Sequence, residues 1–392
     1  MQNVYIIAAK RTPLGSFGGS LSAISATQLG ASVVKSAVES AYIPVDSIDE
    51  IFMGHVVQAN AGQAPARQVA LHAGLSNSTP ATTINKVCAS GMKAVMFGAQ
   101  SIMLGENKVV VAGGMENMSS IPFYLTKARY GYGYGNNELV DGLVRDGLAN
   151  VYDGQAMGCF ADATATKFEI SREEQDAYAI QSYQRTAAAW QAGKFDQEVA
   201  GVEVKDKKGN VTLIQHDEEY KNVMFEKIPT LRPVFTKEGT ITAANASTIN
   251  DGAAALILAD EDTVRSLGLK PLARIVAYAD GAQEPEWFTT APAIAAEKAL
   301  KRAGLSISDI DYFEVNEAFA VVTLAFIKHF GLSQDKVNVN GGAVSMGHPL
   351  GCSGARILTT LTSVLSQNNA RYGMAAICNG GGGASAMILE RM

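Results

Sequence analysis

The stretch NKVVVAGGMENM, Asn107–Met118, is echoed near the other end of the chain by RYGMAAICNGGGGASAM, Arg371–Met387. Two further pairs keep the same separation. NVYIIAA from Asn3 is echoed by LARIVAYA from Leu272, and SIDEIFMG, Ser47–Gly54, by DIDYFEVN, Asp309–Asn316. Partners lie about 260 to 270 residues apart. Self-similarity at one fixed interval points to a duplicated unit. Strand-like runs alternate with helical ones, so the unit is βα, and an α/β chain of two pseudo-symmetric halves is expected.

The segment between the halves differs in character. It holds the Gly/Tyr-rich YGYGYGNNELVDG, then an S-x-x-E capping box at Ser171 and Glu174 that starts a helix stopping near Gly193. KDKKGN, Lys205–Asn210, reads as a hairpin turn. The expected division is 1–119 with 251–270 as one half, 271–392 as the other, and 120–250 as an insertion covering a site between them.

Composition narrows the function. The 392 residues are 47% hydrophobic and 18% charged, with formal net charge −6. No Lys/Arg block exists, which argues against nucleic acid as a partner. No apolar run reaches the ~18 residues of a membrane span, and MQNVYIIAAKRTPLG reads as a strand and turn rather than a targeting peptide. The four cysteines, Cys88, Cys159, Cys352 and Cys378, form no CxxC pair, so zinc spacing is absent. Reduced thiols in a cytoplasmic protein are expected.

INKVCASGMKAVMFGAQSI, Ile84–Ile102, joins a β-branched strand end to a run with apolar residues at helical spacing. Cys88 therefore falls at a helix start, where unpaired N–H groups are expected to lower its pKa and make a thiolate available. A small apolar core residue is the competing reading. Asn316 and Glu317 follow a strand in EVNEAFA; His348 sits in the glycine-rich NVNGGAVSMGHPLGCSGARI; Cys378 stands between an apolar strand and four glycines. Glu317 as a helix cap and the glycines as a turn are the plainer alternatives. Cys352 and Cys159 read as packing, Cys159 in an apolar turn. A nucleophilic thiol, a histidine to activate it, a second thiol with pKa brought near neutrality and glycine N–H donors describe acyl transfer coupled to carbon–carbon bond chemistry.

VCASGMKA, AGGMENMS, NASTINDGAAAL, NEAFA, NVNGGAVSMGHPLGCSGAR and CNGGGGASAM, in this order over nearly the whole chain, resemble the thiolases. DEEYK and TAANASTINDGAAAL bring the resemblance nearest the mitochondrial-type acetoacetyl-CoA branch. It implies a five-layered α/β/α/β/α core with an inserted loop domain that binds coenzyme A. Cys88 would be the acylated nucleophile, His348 its activator and Cys378 the acid/base at the α-carbon. Asn316 would position a water in one oxyanion hole; the N–H groups of Cys88 and Gly380 would form the other.

The resemblance further implies coenzyme A contacts at Tyr183, Asn222, Val223, Met224, Lys227 and Ser247, with Leu148, Met157, Phe235, Ala318 and Phe319 along the pantetheine and acyl path. Potassium would be held at Tyr183, Ala243, Ala244, Ala246 and Val344. No other cofactor is implied, acyl-CoA thioesters are the substrates, and a homo-oligomer, a tetramer, is expected. One departure stands out: Ala156, after Gln155, replaces the branch's histidine at the pocket mouth, with Gln155 or a water expected to fill the space. Three functions are weighed: interconversion of two acetyl-CoA with acetoacetyl-CoA and CoA, a longer-chain 3-ketoacyl-CoA thiolase, and a catalytically silent acyl-CoA- or lipid-binding protein of this fold. The intact Cys88, His348 and Cys378 argue against the last.

Overall fold

The structure, a computed structural model, describes residues 2–392; Met1 lies outside it. The first half runs β1 (Val4–Arg11), α1 (Ala26–Ala41), β2 (Glu50–Gly54), α2 (Pro65–His72), β3 (Ala81–Ile84), α3 (Ser90–Met103) and β4 (Val109–Asn117). Helices α4 (Met157–Lys167) and α5 (Arg172–Gln191) follow, then strands β5 (Val202–Lys205) and β6 (Val211–Ile214). The chain returns as β7 (Asn250–Asp260), β8 (Ala273–Ala282), α6 (Ala291–Ala303), β9 (Tyr312–Val315), α7 (Ala320–Phe330), α8 (Leu350–Gln367), β10 (Tyr372–Asn379) and β11 (Gly383–Arg391).

Nine of these strands, with the short Gly15–Ser16 strand on β7, form a ten-stranded sheet ordered β9-β10-β11-β8-β1-β7-β4-β2-β3, while β5 and β6 pair apart from it. At its middle β1 meets β8 through only two paired positions, Tyr5 with Arg274 and Ile6 with Ala273. The order is mirrored across that seam: β1, β7, β4, β2 on one side, β8, β11, β10, β9 on the other. The three sequence echoes are therefore structural counterparts, β1 with β8, β2 with β9, β4 with β10.

Burial follows the layers. Helices α1 and α2 cover one face of the first half through Leu29, Val33, Val34 and Val69. Helices α6 and α7 cover the second half through Ala295, Ala299 and Phe326. Helices α3 and α8 lie between, where Met92, Met96, Leu358 and Leu361 pack with Leu256, Ile275 and Ile377 in a single cluster. Strand β7 is buried at every position, covered on both faces, which is why its sequence runs apolar without alternation. The two central helices cross backbone to backbone: a Cβ on Gly91 would lie 2.7 Å from the Ala355 nitrogen. Two helix starts are thereby held side by side.

The 120–250 segment carries the expected capping box, with Ser171 N–H donating to Glu174 Oε2 at 2.6 Å and Glu174 N–H to Ser171 Oγ at 3.1 Å. Lys205–Asn210 turns the β5–β6 hairpin. Cys159 departs from its reading as a turn residue: it lies within α4.

Candidate active site

Cys88 occupies the short connection from β3 to α3, just ahead of the first helical residue. Val87 beside it has φ +48°, a conformation that costs a β-branched residue roughly 1–3 kcal/mol and persists only where neighbours over-determine it. Here they do. Asn85 Oδ1 accepts from Val87 N–H at 2.9 Å; Ser90 Oγ accepts from Lys86 N–H at 2.8 Å and donates to the Val87 carbonyl at 2.6 Å. The strained turn presents the half-buried thiol to a cavity of about 340 Å³.

His348 and Gly380 line the same cavity. The Cys88 thiol lies close to the N–H groups of Gly380 and of its own residue. His348 N–H donates to Asn250 Oδ1 at 3.0 Å, and its Nδ1 is 2.6 Å from Ser353 Oγ. Ser353 gives its single hydroxyl proton to the Pro349 carbonyl at 2.9 Å, so Nδ1 carries the imidazole proton and donates to Ser353. Nε2 is left as the proton acceptor, with Asn316 Nδ2 at 3.5 Å. Asn316 stands at the end of β9, its N–H on the Ala376 carbonyl at 2.9 Å, and its buried Oδ1 has no hydrogen-bond partner among the described residues. Cys378, on β10 opposite Ala384, is fully buried against Phe288, Ala318 and Phe319.

The electrostatics overturn two expectations. Burial pushes the Cys88 thiol up to about 12, against the pull of the Gly380 and Cys88 N–H groups and with a further push from Glu116. The helix start does not yield a resting thiolate, because desolvation outweighs the dipoles. Cys378 likewise is not near neutrality; burial, then the neighbouring Cys88, hold it well above the ordinary thiol range. Burial, with Arg356 adding to it, lowers His348 to about 3, so the imidazole is neutral. The resting site is a thiol beside a neutral base.

Of the remaining candidates, Leu148, Met157, Phe235, Ser247, Ala318 and Phe319 all line the cavity with Phe288 and Ala156. Phe235 packs edge-on to Phe319, ring centroids 6.1 Å apart. Tyr183, Asn222, Val223, Met224 and Lys227 are not among its walls. Tyr183 is buried with Val344 and touches Val223 in a separate cluster, while Asn222, Met224 and Lys227 are exposed. Ala244 and Ala246 are buried and Ala243 is exposed on the turn that precedes Ser247. Gln155 does not fill the space beside Ala156: it is exposed, and its Nε2 donates to Asp153 Oδ2 at 3.1 Å.

Glu317 is no helix cap. Its carboxylate accepts from Tyr178 Oη (2.8 Å), Ser182 Oγ (2.9 Å), Asn338 Nδ2 (2.9 Å) and Val344 N–H (2.9 Å), fastening α5 to the second half. Sequence reasoning missed Glu116. It accepts from the N–H groups of Val56, Val57 and Gly351 at 3.0, 3.1 and 2.8 Å and so pins the start of α8 beside His348. Burial raises it to about 7 despite those bonds. It lies inside the quoted AGGMENMS, but nothing local marks its partners, which come from elsewhere in the chain. Ser353 was missed for a similar reason; only the folded turn brings it to His348.

Models of the thiolase N-terminal and C-terminal domains match residues 4–262 and 269–391. The chain is 54% identical over its full length to a probable acetyl-CoA acetyltransferase of Dictyostelium discoideum, covering 95% of that protein. It is also 54% identical to the mitochondrial acetyl-CoA acetyltransferase of Homo sapiens, over 100% of this chain and 91% of the human one. In structure it is similar to Acat5 thiolase from Ascaris suum in complex with coenzyme A, with TM-score 0.95, 45% identity and full coverage of both chains. A mirrored double sheet, two central helix starts flanking a cavity with Cys88 and His348, and matches spanning both halves lead to one conclusion: the chain belongs to the thiolase family.

Proposed function

We propose that this thiolase is an acetyl-CoA C-acetyltransferase, interconverting two acetyl-CoA with acetoacetyl-CoA and coenzyme A. The observation that carries it is the cavity in which Cys88, His348 and Gly380 meet, closed by Phe288, Ala318 and Phe319, with Cys378 packed against that apolar wall. Similarity to acetyl-CoA acetyltransferases over the whole chain supports the acetyl unit as the group transferred.

The chemistry follows from the protonation states. Cys88 Sγ attacks the thioester carbon while its proton passes to His348 Nε2, the ring nitrogen that carries the lone pair. The two transfers are coupled because a free thiolate is costly here. The carbonyl oxygen takes charge against the Cys88 and Gly380 N–H groups, coenzyme A leaves with the proton, and acetyl-Cys88 remains. A second acetyl-CoA gives its α-proton to Cys378 as that thiol's own proton passes to His348, the carbanion attacks acetyl-Cys88, and the expelled Cys88 sulfur takes the proton back from the imidazolium as acetoacetyl-CoA is released. In thiolysis Cys378 is the acid, the role its held proton favours. Asn316, with one unpartnered buried oxygen, suits a water-holding position.

The segment 120–250 acts in this reading as the loop domain over the site, supported by its share of the cavity wall: Leu148, Met157, Phe235 and Ser247. Tyr183, Asn222, Val223, Met224 and Lys227 take the outer part of coenzyme A. Potassium near Tyr183 is part of the reading: burial first, then the Glu219 and Glu317 carboxylates, raise that phenol, and the two carboxylates supply negative charge that would draw a cation. Among the described residues no N–H donates to the carbonyls of Ala243, Ala244 or Ala246, and such oxygens suit a hard cation. A homotetramer is part of the reading, supported by exposed Phe123, Leu125, Tyr130, Tyr134 and Leu139 on one segment. So is a cytoplasmic location, which four free cysteines suit; no helix among the described residues is long and apolar enough to cross a membrane. Relatives include proteins named cytosolic and mitochondrial.

Thiolysis kinetics across C4, 2-methyl-C4, C6 and C16 3-ketoacyl-CoAs test the reading. The highest kcat/KM is expected with acetoacetyl-CoA; a maximum at C6 or C16 makes the protein a longer-chain thiolase.

A further inference from the structure

The turn that carries Cys88 and the strands that carry Cys378 belong to opposite halves, and one side chain ties them together. Lys86 Nζ donates to Asp280 Oδ1 at 2.9 Å, to Ser385 Oγ at 2.8 Å and to the Ala384 carbonyl at 3.0 Å. All three ammonium protons are thereby used. Ser385 Oγ donates to Asp280 Oδ1 at 2.6 Å, and Lys93 Nζ, from α3, takes Asp280 Oδ2 at 2.7 Å. The anchoring point is specific. Ala384 is the residue paired with Cys378 in the β10–β11 ladder, and Ser385 pairs with Asp280 in the β8–β11 ladder. At the other end Lys86 adjoins Val87, whose strained φ sets the direction of Cys88.

Neither the family roles given above nor the cavity wall includes this cluster. A surface ion pair is a poor explanation for it: Lys86 is only 24% exposed, Ser385 is fully buried, and Asp280 meets two lysines. Burial pushes the Asp280 acid up, but bonds from Lys93, Ser385 and Lys86 outweigh it and bring it down to about 2, so Asp280 is ionised at neutral pH.

We propose that Lys86, latched to Asp280 and Ser385, is a positioning residue that sets the separation of Cys88 from Cys378. It serves carbon–carbon bond making and breaking, where both cysteines act on one pair of carbons, more than acyl transfer, where Cys88 acts without Cys378. This rests on the function proposed above. A misplacement on the order of 1 Å between reacting groups costs about 10²-fold in rate.

The test compares two activities of the full-length protein. Exchange of labelled coenzyme A into acetyl-CoA reads acylation of Cys88; formation of acetoacetyl-CoA reads both cysteines. In Lys86→Met, and separately in Asp280→Asn, condensation should fall about 10²-fold further than exchange, the scale of that misplacement, and Lys86→Arg should recover part of the loss. Equal falls in both activities, or no fall in either, would overturn the latch. Phenylarsine oxide, which bridges two thiols, reads the cysteine separation without turnover: the binding that Cys88→Ser abolishes should weaken in Lys86→Met, and unchanged binding contradicts the proposal. A wild-type protein that exchanges but does not condense defeats the proposed function alone, and the arsenical still decides the latch.

Discussion

Cys88 should behave as an unusually weak acid in the free protein. Its thiol is moved from 9.0 to about 12 by burial, with Glu116 opposing the two N–H groups that favour the anion. That displacement is about 4 kcal/mol against the thiolate and leaves about one thiolate in 10⁵ molecules at pH 7. The sign is fixed: a raised acid keeps its proton, and the reactive form grows with pH throughout the accessible range. His348, neutral until about pH 3, offers no cation to stabilise the thiolate at rest. Alkylation by iodoacetamide, followed on the Cys88 peptide by mass spectrometry from about pH 6 to 10, follows the thiolate fraction. The logarithm of the rate should climb with unit slope and no plateau. A plateau by about pH 8 would mean that a thiolate–imidazolium pair exists before substrate binds, and the coupled proton transfer described above would be wrong.

Three further outcomes are expected. A Cβ on Gly158 would meet the Phe235 ring at 2.1 Å, so Gly158→Ala should drive that ring from Phe319; losing an aromatic pair worth about 0.5–1.5 kcal/mol raises KM for acetoacetyl-CoA roughly two- to tenfold with kcat held, and unchanged KM removes Phe235 from the substrate path. Ala156→His should fill cavity space that Gln155 leaves free, lowering kcat/KM for C6 relative to C4 by about tenfold, the scale of 1–3 kcal/mol per methylene; an unaltered ratio means that the pocket mouth does not govern chain length. Replacing sodium by potassium at constant ionic strength should raise activity through the Tyr183 turn, and identical kinetics in both salts would remove the ion.

Much of the architecture could be read in advance because it is periodic. Three echoes at one spacing carried the duplicated halves, and the structure turns each into a pair of strands related across the β1–β8 seam. Cys88, Cys378 and His348 could be singled out because each stands at a strand end or helix start near glycine, and Asn316 because it ends a strand. What could not be read depends on long-range packing. Whether Cys88 is a thiolate turns on how completely the folded walls exclude water, and a helix start argues the wrong direction when burial dominates. Glu116, Ser353 and the Lys86 cluster act through partners supplied by the fold. For Gln155 the reverse holds: Asp153, two residues earlier, competes for its amide and keeps it out of the cavity.

The place where the acetyl group lands decides whether Cys88 is the nucleophile. Incubating the protein with acetyl-CoA alone, trapping it in acid and mapping the peptides should place one acetyl group on Cys88, with release of an equal amount of coenzyme A. An acetyl group on Cys378, Cys159 or Cys352 instead, or coenzyme A retained with Cys88 unmodified, contradicts the assignment of Cys88 as the nucleophile.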